Sequence, residues 1–140
     1  MKFLLDTCVI SEITKPHPDK VVVDWLAKPG ENTYFLSVLT LGEVNYGITL
    51  LGDSARASRL RDWFENILRK NFAGRFLHVD DRVALEWSRQ KAVCKKSGHP
   101  RPELDLLLAA TAVANGLTIA TRNVSDFNGL DVPVFNPWKL

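Results

Sequence analysis

The chain has 140 residues, 46% of them hydrophobic and 24% charged, with a net charge of +2. That length supports one buried core and is too short for two comfortable domains, so residues 1–140 read as a single domain. The mild charge excludes a uniformly polyanion-binding surface and leaves room for a local basic face. Arg56, Arg59, Arg61, Arg69, Lys70 and Arg75 supply a candidate stretch, whose plain alternative is a solvated helix face.

Residues 2–5 read as a short buried strand, and 7–14 as a helix that starts directly after Asp6. The prolines of "KPHPD" at 15–19 interrupt that helix. A short helix is expected at 19–27, ended by Pro29-Gly30, and a strand over Thr33-Tyr34-Phe35-Leu36. Ser37 is a plausible N-cap for a helix of about 14 residues, with Val38, Leu41, Val44, Ile48 and Leu51 at helical spacing.

After Gly52-Asp53-Ser54, the spacing predicts an amphipathic helix over 54–70, with Leu60, Trp63, Phe64, Ile67 and Leu68 on one side. Phe76 to Val79 is a strand candidate. Residues 81–97 form a further helix carrying Val83, Leu85, Trp87, Ala92 and Val93, and "SGHPRPE" a loop. Leu104 to Ala114 is apolar almost all round, which predicts a buried helix with Gly116 at its C′ position. Leu117 to Ala120 is a strand, and Val132 to Phe135 a last one, placed at an edge by its proline. Strands alternate with helices throughout, so the class is α/β with a mainly parallel central sheet flanked by helices.

Cys8 and Cys94 lie far apart without metal-site spacing, which fits a reducing cytosol. The first apolar run stops at Asp6, too soon for a signal peptide. No stretch approaches the roughly 20 apolar residues that span a bilayer. A cytoplasmic protein with no membrane partner is expected.

Asp6 interrupts an apolar run, and burying a charge there costs several kcal/mol, on the order of magnitude, unless it is paired. It either caps the following helix or holds something. In an open parallel sheet ligands bind beyond the carboxyl ends of the strands, where Asp6 stands. Three more acids share this prospect. Glu43 lies in "SVLTLGEVNYG", whose Gly42 and Gly47 cost the helix roughly 1 kcal/mol each against alanine; such a cost points to close approach of another backbone. Otherwise Glu43 is an exposed helical glutamate. Asp105 opens the apolar helix "PELDLLLAATAVANG", where it must be neutralised, paired or metal-bound, unless it only favours the helix dipole. Glu103 fills that dipole role more cheaply from an exposed side. Asp126 lies beyond the last central strand, in "IATRNVSDFNG", with Asn123 nearby; its ordinary role is a local turn bond.

No basic residue is an obvious partner for all four acids, and His17, His78 and His99 lack ligand spacing. Carboxylates with few nitrogen or sulfur ligands suit Mg²⁺ or Mn²⁺ rather than zinc. Such a site activates water and stabilises charge on a scissile phosphate, so phosphodiester hydrolysis is its natural chemistry.

"LLDTCVISE", "SVLTLGEVNYG", "PELDLLLAATAVANGLTIATRNVSDF" and "VFNPW" together resemble the PIN-domain nucleases, and more narrowly the VapC-type toxins of bacterial toxin–antitoxin pairs. The resemblance runs from residue 2 to 138. It implies a PIN-like domain and an Mg²⁺-dependent endoribonuclease that acts on RNA, with Mn²⁺ as a substitute. It also implies a homodimer neutralised by a cognate VapB-type antitoxin in a higher assembly. Carried across, Asp6 and Asp105 are the principal metal ligands, Glu43 a further catalytic acid, and Asp126 the fourth. Thr7 adds a hydroxyl beside the metal. One position departs from the pattern: many PIN domains place an acid two residues after the threonine matching Thr121, where this chain has Asn123, and Asp126 follows three residues later.

Two rivals differ in chemistry. Haloacid-dehalogenase-type phosphatases need a second aspartate two residues after the first, where this chain has Cys8. A non-catalytic PIN-fold module that grips RNA or a protein partner would not need all four acids.

Overall fold

Strand β1 (Lys2–Leu5) is the centre of the molecule, because its side chains are wanted on both faces. Phe3 and Leu5 point into one core and Leu4 into the other, as the period of two requires. The structure, a computed structural model, describes residues 1–28 and 30–140. Around β1 the order is β3-β2-β1-β4-β5, with every pairing parallel. The remaining strands are β2 (Thr33–Ser37), β3 (Phe76–Leu77), β4 (Thr118–Ala120) and β5 (Val134–Phe135).

One face is covered by α1 (Thr7–Ile13), α2 (Lys20–Ala27), α3 (Val38–Leu50) and the run that begins with α4 (Ala55–Trp63). Phe3, Leu5, Val9, Ile10, Trp25 and Leu36 lie in that core. The other face is covered by α7 (Glu103–Ala114), with α6 (Asp81–Lys96) packed behind it. The all-round apolar character of 104–114 is therefore borne out: α7 lies between the sheet and another helix, and Leu106, Leu108 and Ala109 to Ala112 are buried.

The expected boundaries mostly hold. Ser37 caps α3 through its hydroxyl, which accepts the Leu39 N–H at 3.0 Å. Gly116 has φ of 65° after Asn115, and the Gly116 and Leu117 N–H groups close on Val113 and Ala112, a Schellman ending. The Pro29 part of the expected stop after α2 lies outside the described residues. β3 and β5 are shorter than expected, and β5 does lie at an edge, where Pro133 still offers its carbonyl to Ile119.

The helix expected at 54–70 departs from plan. It is α-helical over Ala55–Trp63, a π-turn over Phe64–Leu68, and α-helical again as α5 (Arg69–Asn71). The wider turn puts Phe64 and Leu68 in the core and rotates Ile67 out to 48% exposure. In α6 the inner stripe is Val83, Trp87, Gln90 and Cys94, whereas Leu85, Ala92 and Val93 face outward.

Candidate active site

The four acids come from four segments that meet where the strands end. α7 runs back antiparallel to the sheet before entering β4, so its first turn lies at the same carboxyl edge as Asp6.

Asp6 takes the capping role, one of the two expected of it, and its second oxygen is engaged as well. It is the N-cap of α1, with Oδ1 accepting the Thr7 N–H at 2.8 Å. Its Oδ2 accepts the Thr121 hydroxyl at 2.7 Å and, at 3.7 Å, the Cys8 thiol. Thr121 is fully buried and accepts the Asn123 N–H at 3.0 Å, so the carboxylate is held in one orientation from beneath. Burial pushes the Cys8 thiol above its ordinary range, and the nearby Asp6 charge adds to this.

Glu43 is exposed on the second turn of α3, and its Oε1 accepts the Thr7 hydroxyl at 3.0 Å. Thr7 thus ties the β1–α1 corner to α3. The expectation about Gly42 and Gly47 is corrected within the chain: a Cβ at either would meet nothing within 4 Å. Both sit on the exposed face of α3, beside Tyr46 and Leu50.

Asp105 is half-buried in the first turn of α7, and its carboxyl is held above the ordinary aspartate range. Burial is the largest cause; the charges of Asp126, Asp6 and Glu43 follow, and the Arg101 charge opposes them. The three other acids therefore lie within electrostatic reach of Asp105. Glu103 takes the exposed role foreseen for it, bonded to Trp87 Nε1 at 2.9 Å and Lys91 Nζ at 2.6 Å.

Asp126 rides an exposed 3-10 turn, Val124–Phe127. Its charge bears on Asp105 more than that of Asp6 or Glu43. Asp126→Asn is therefore expected to slow RNA cleavage roughly 10- to 100-fold, and Asn123→Ala much less. Single-turnover rates in the reverse order would transfer the role to Asn123.

Among the described residues, no group of three or more His, Cys, Asp and Glu side chains is placed to hold a metal ion unaided. The donor chemistry nonetheless fits a hard divalent ion. The donors are all carboxylates, and Mg²⁺ is commonly held by one or two of them while keeping several waters. Asp6 and Asp105, whose charges interact, are the candidates for such a pair.

The basic stretch divides. Arg61 donates to the Gly52 carbonyl, Arg69 pairs with Glu65, and Arg75 donates to the Tyr34 carbonyl while covering the Phe72 ring. Arg56 and Arg59 remain along an open groove with Trp63. A neighbouring groove of about 340 Å³ begins at Thr7 and Glu43 and carries Lys15 and Arg56.

Sequence reasoning passed over a second polar centre. Glu12, only 3% exposed, accepts from Arg122 at 2.7 Å and Trp138 Nε1 at 3.0 Å, and pairs with Lys15 at 2.8 Å. Arg122 stacks on Trp138, its guanidinium carbon 4.3 Å from the ring centroid. The available signal was a charge between Ile10 and Ile13 on an apolar helix.

The wholly parallel sheet has Asp6 at the end of its central strand, with three further acids from α3, α7 and the 3-10 turn around Asp105, and a family model described as "PIN domain" matches residues 3–131. The chain belongs to the PIN-domain family. Divalent-metal dependence is typical of that family. Within it, the chain is similar to Toxin FitB of Neisseria gonorrhoeae, 38% identical over 96% of this chain and 97% of FitB. It is also similar to VapC ribonuclease Y4jK of Sinorhizobium fredii, 33% identical over 97% of each chain. The crystal structure of FitAcB from Neisseria gonorrhoeae superimposes with a TM-score of 0.90 at 38% identity, covering 99% of both chains.

Proposed function

We propose that this chain, acting as one PIN unit over residues 1–140, is an Mg²⁺-dependent endoribonuclease and the toxin of a bacterial toxin–antitoxin pair. The observation that carries the reading is the PIN-domain match over residues 3–131, with Asp105 crowded by three other acids from separate segments. Such crowding is costly without a cation.

Asp6 and Asp105 would hold the ion, which when bound supplies charge to the scissile phosphate and lowers the pKa of water. The chain's own residues do the rest. Thr121 and the Thr7 N–H keep the Asp6 carboxylate oriented. Thr7 holds one oxygen of Glu43, leaving the other to accept a proton from the attacking water. Asp126 adds negative charge beside Asp105. Lys15 and Arg56, on the groove that leads to Glu43, place positive charge where a phosphate chain approaches.

A toxin's name on the FitB relative, and a ribonuclease's on the VapC relative, support RNA as substrate and a VapB-type antitoxin as partner. Tyr46 and Leu50, 67% and 69% exposed on α3, give an apolar patch suited to a second copy in a homodimer. No helix among the described residues is long and apolar enough to cross a membrane, and we place the protein in the bacterial cytoplasm.

Single-stranded RNA incubated with the purified chain tests the reading. Cleavage is expected with Mg²⁺ or Mn²⁺, none in excess EDTA, and recovery when either ion is restored. Undiminished cleavage in EDTA would sink the metal mechanism; intact RNA with either ion would leave a binding-only PIN module.

A further inference from the structure

Arg101 stands four residues before Asp105 and reaches back across the turn that carries Asp126. Its Nη1 donates to the Ser125 carbonyl at 3.1 Å and the Asp126 carbonyl at 3.3 Å, and its Nη2 to the Asn128 carbonyl. All three bonds go to main-chain oxygens, none to a carboxylate. A single 3-10 turn is a weak element, with poor hydrogen-bond geometry and orphan carbonyls at its end. Here one rigid guanidinium collects those carbonyls. At its ends the turn is closed by the Asp126 N–H to Asn123 at 3.0 Å and the Asn128 N–H to Ser125 at 3.2 Å. At its other end, Arg122 is anchored on the buried Glu12.

We propose that Arg101 is a positioning residue: by clamping the Val124–Phe127 turn from the start of α7, it holds the Asp126 carboxylate beside Asp105. The inference rests on the reading of Asp126 as the fourth acid of the site. Both Nη groups of Arg101 are engaged with carbonyls, so it fixes the turn's position in addition to placing a positive charge near Asp105. A lysine is a point charge on a flexible stem and cannot reproduce a planar fork across three oxygens.

This separates two effects of opposite sign. Removing a positive charge near carboxylates strengthens cation binding; releasing the turn weakens it. The test is Mn²⁺ binding by the full chain, followed by the free-ion EPR signal, with no dependence on cleavage. If Arg101 positions Asp126, Arg101→Lys and Arg101→Met both weaken Mn²⁺ binding, by about tenfold. Neither adds to the loss already present in Asp126→Asn. Tighter or unchanged binding in Arg101→Met overturns the proposal, and so does further loss in the Asp126→Asn background.

Hydrogen exchange at the Asp126 and Asn128 amides reads the clamp itself, and should quicken in both Arg101 variants. Unchanged protection in Arg101→Met overturns the clamp even if Mn²⁺ binding falls. Wild-type Mn²⁺ affinity in Asp126→Asn would instead refute the reading of Asp126 and, with it, this role for Arg101. Melting in EDTA shows whether the methionine variant folds; if it does not, the lysine variant carries the same comparison.

Discussion

Asp6→Asn is expected to abolish RNA cleavage while leaving the metal-free protein within about 1 kcal/mol of wild-type stability. The stability half follows from the two contacts of the carboxylate. Asparagine keeps an oxygen for the Thr7 N–H, so the cap of α1 survives. Its NH₂ takes the place of Oδ2 and donates to the Thr121 hydroxyl, which turns its own hydrogen toward Cys8 Sγ, 3.4 Å away. The loss is that of a charge-assisted bond replaced by a neutral one. Relief of repulsion with Asp105 acts in the opposite direction.

Metal linkage and catalysis change far more. An ion present at a hundred times its Kd stabilises the protein that binds it by about 2.7 kcal/mol, and Asp6→Asn forfeits most of that. Metal-dependent stabilisation of the transition state is worth several kcal/mol, so the rate falls roughly a thousandfold or more. Melting curves in EDTA and in Mg²⁺ check both parts. Equal magnesium stabilisation of wild type and variant would show that Asp6 does not hold the ion.

Glu12→Ala should destabilise the fold by about 2 kcal/mol, with no direct loss of a metal ligand. The carboxylate is buried and serves three donors, from just after α1, just after β4 and the C-terminal segment. Arg122 and Lys15 are 47% and 51% exposed, so water takes over much of their pairing. The Trp138 N–H, half-buried against Arg122, is less easily served. Glu12→Gln keeps an acceptor there and should lose about half as much.

The two variants also differ from wild type in a pH-dependent way. The Lys15 hydrogen bond first, then that from Trp138, holds the Glu12 carboxyl below its ordinary value of 4.5. The folded state therefore releases this proton more readily than the unfolded one. Its stabilisation is complete above that ordinary value and is lost as pH falls through the lowered one. Denaturant melts at neutral pH and near pH 3 should show the gap between wild type and Glu12→Gln closing in acid. A gap that does not change with pH would refute the charged role of Glu12.

Local chemistry was enough for much of the fold. A run of apolar residues ending in Asp6 reads as a strand and a cap whatever lies around it. Ser37 before a helical stripe, and Gly116 after one, act through backbone rules that reach only a few residues. The buried character of α7 was legible because no exposed helix shows so few polar side chains. The same reasoning placed Asp6 and Asp126 beyond strand carboxyl ends and singled out Glu43 and Asp105 within their helices, while the family resemblance joined the four into one site. The phase of the 54–70 helix was not legible, because the π-turn follows how Phe64 and Leu68 fit the core rather than the local pattern.

By itself, then, the sequence determined an α/β chain with carboxylates at strand and helix ends, since those features depend on neighbours along the chain. Only the tertiary structure decided that the Asp6 carboxylate, besides capping α1, is fixed by a second contact, because Thr121, 115 positions away, supplies it. The same holds for Glu12, whose partners Arg122 and Trp138 lie 110 and 126 positions along the chain. Likewise it took the folded chain to turn Gly42 and Gly47 from an expected close contact into open positions, and to bring Arg101 onto the carbonyls of Ser125, Asp126 and Asn128. Hydrogen bonds and burial depend on distance in space, and over such separations nothing in local propensity encodes it.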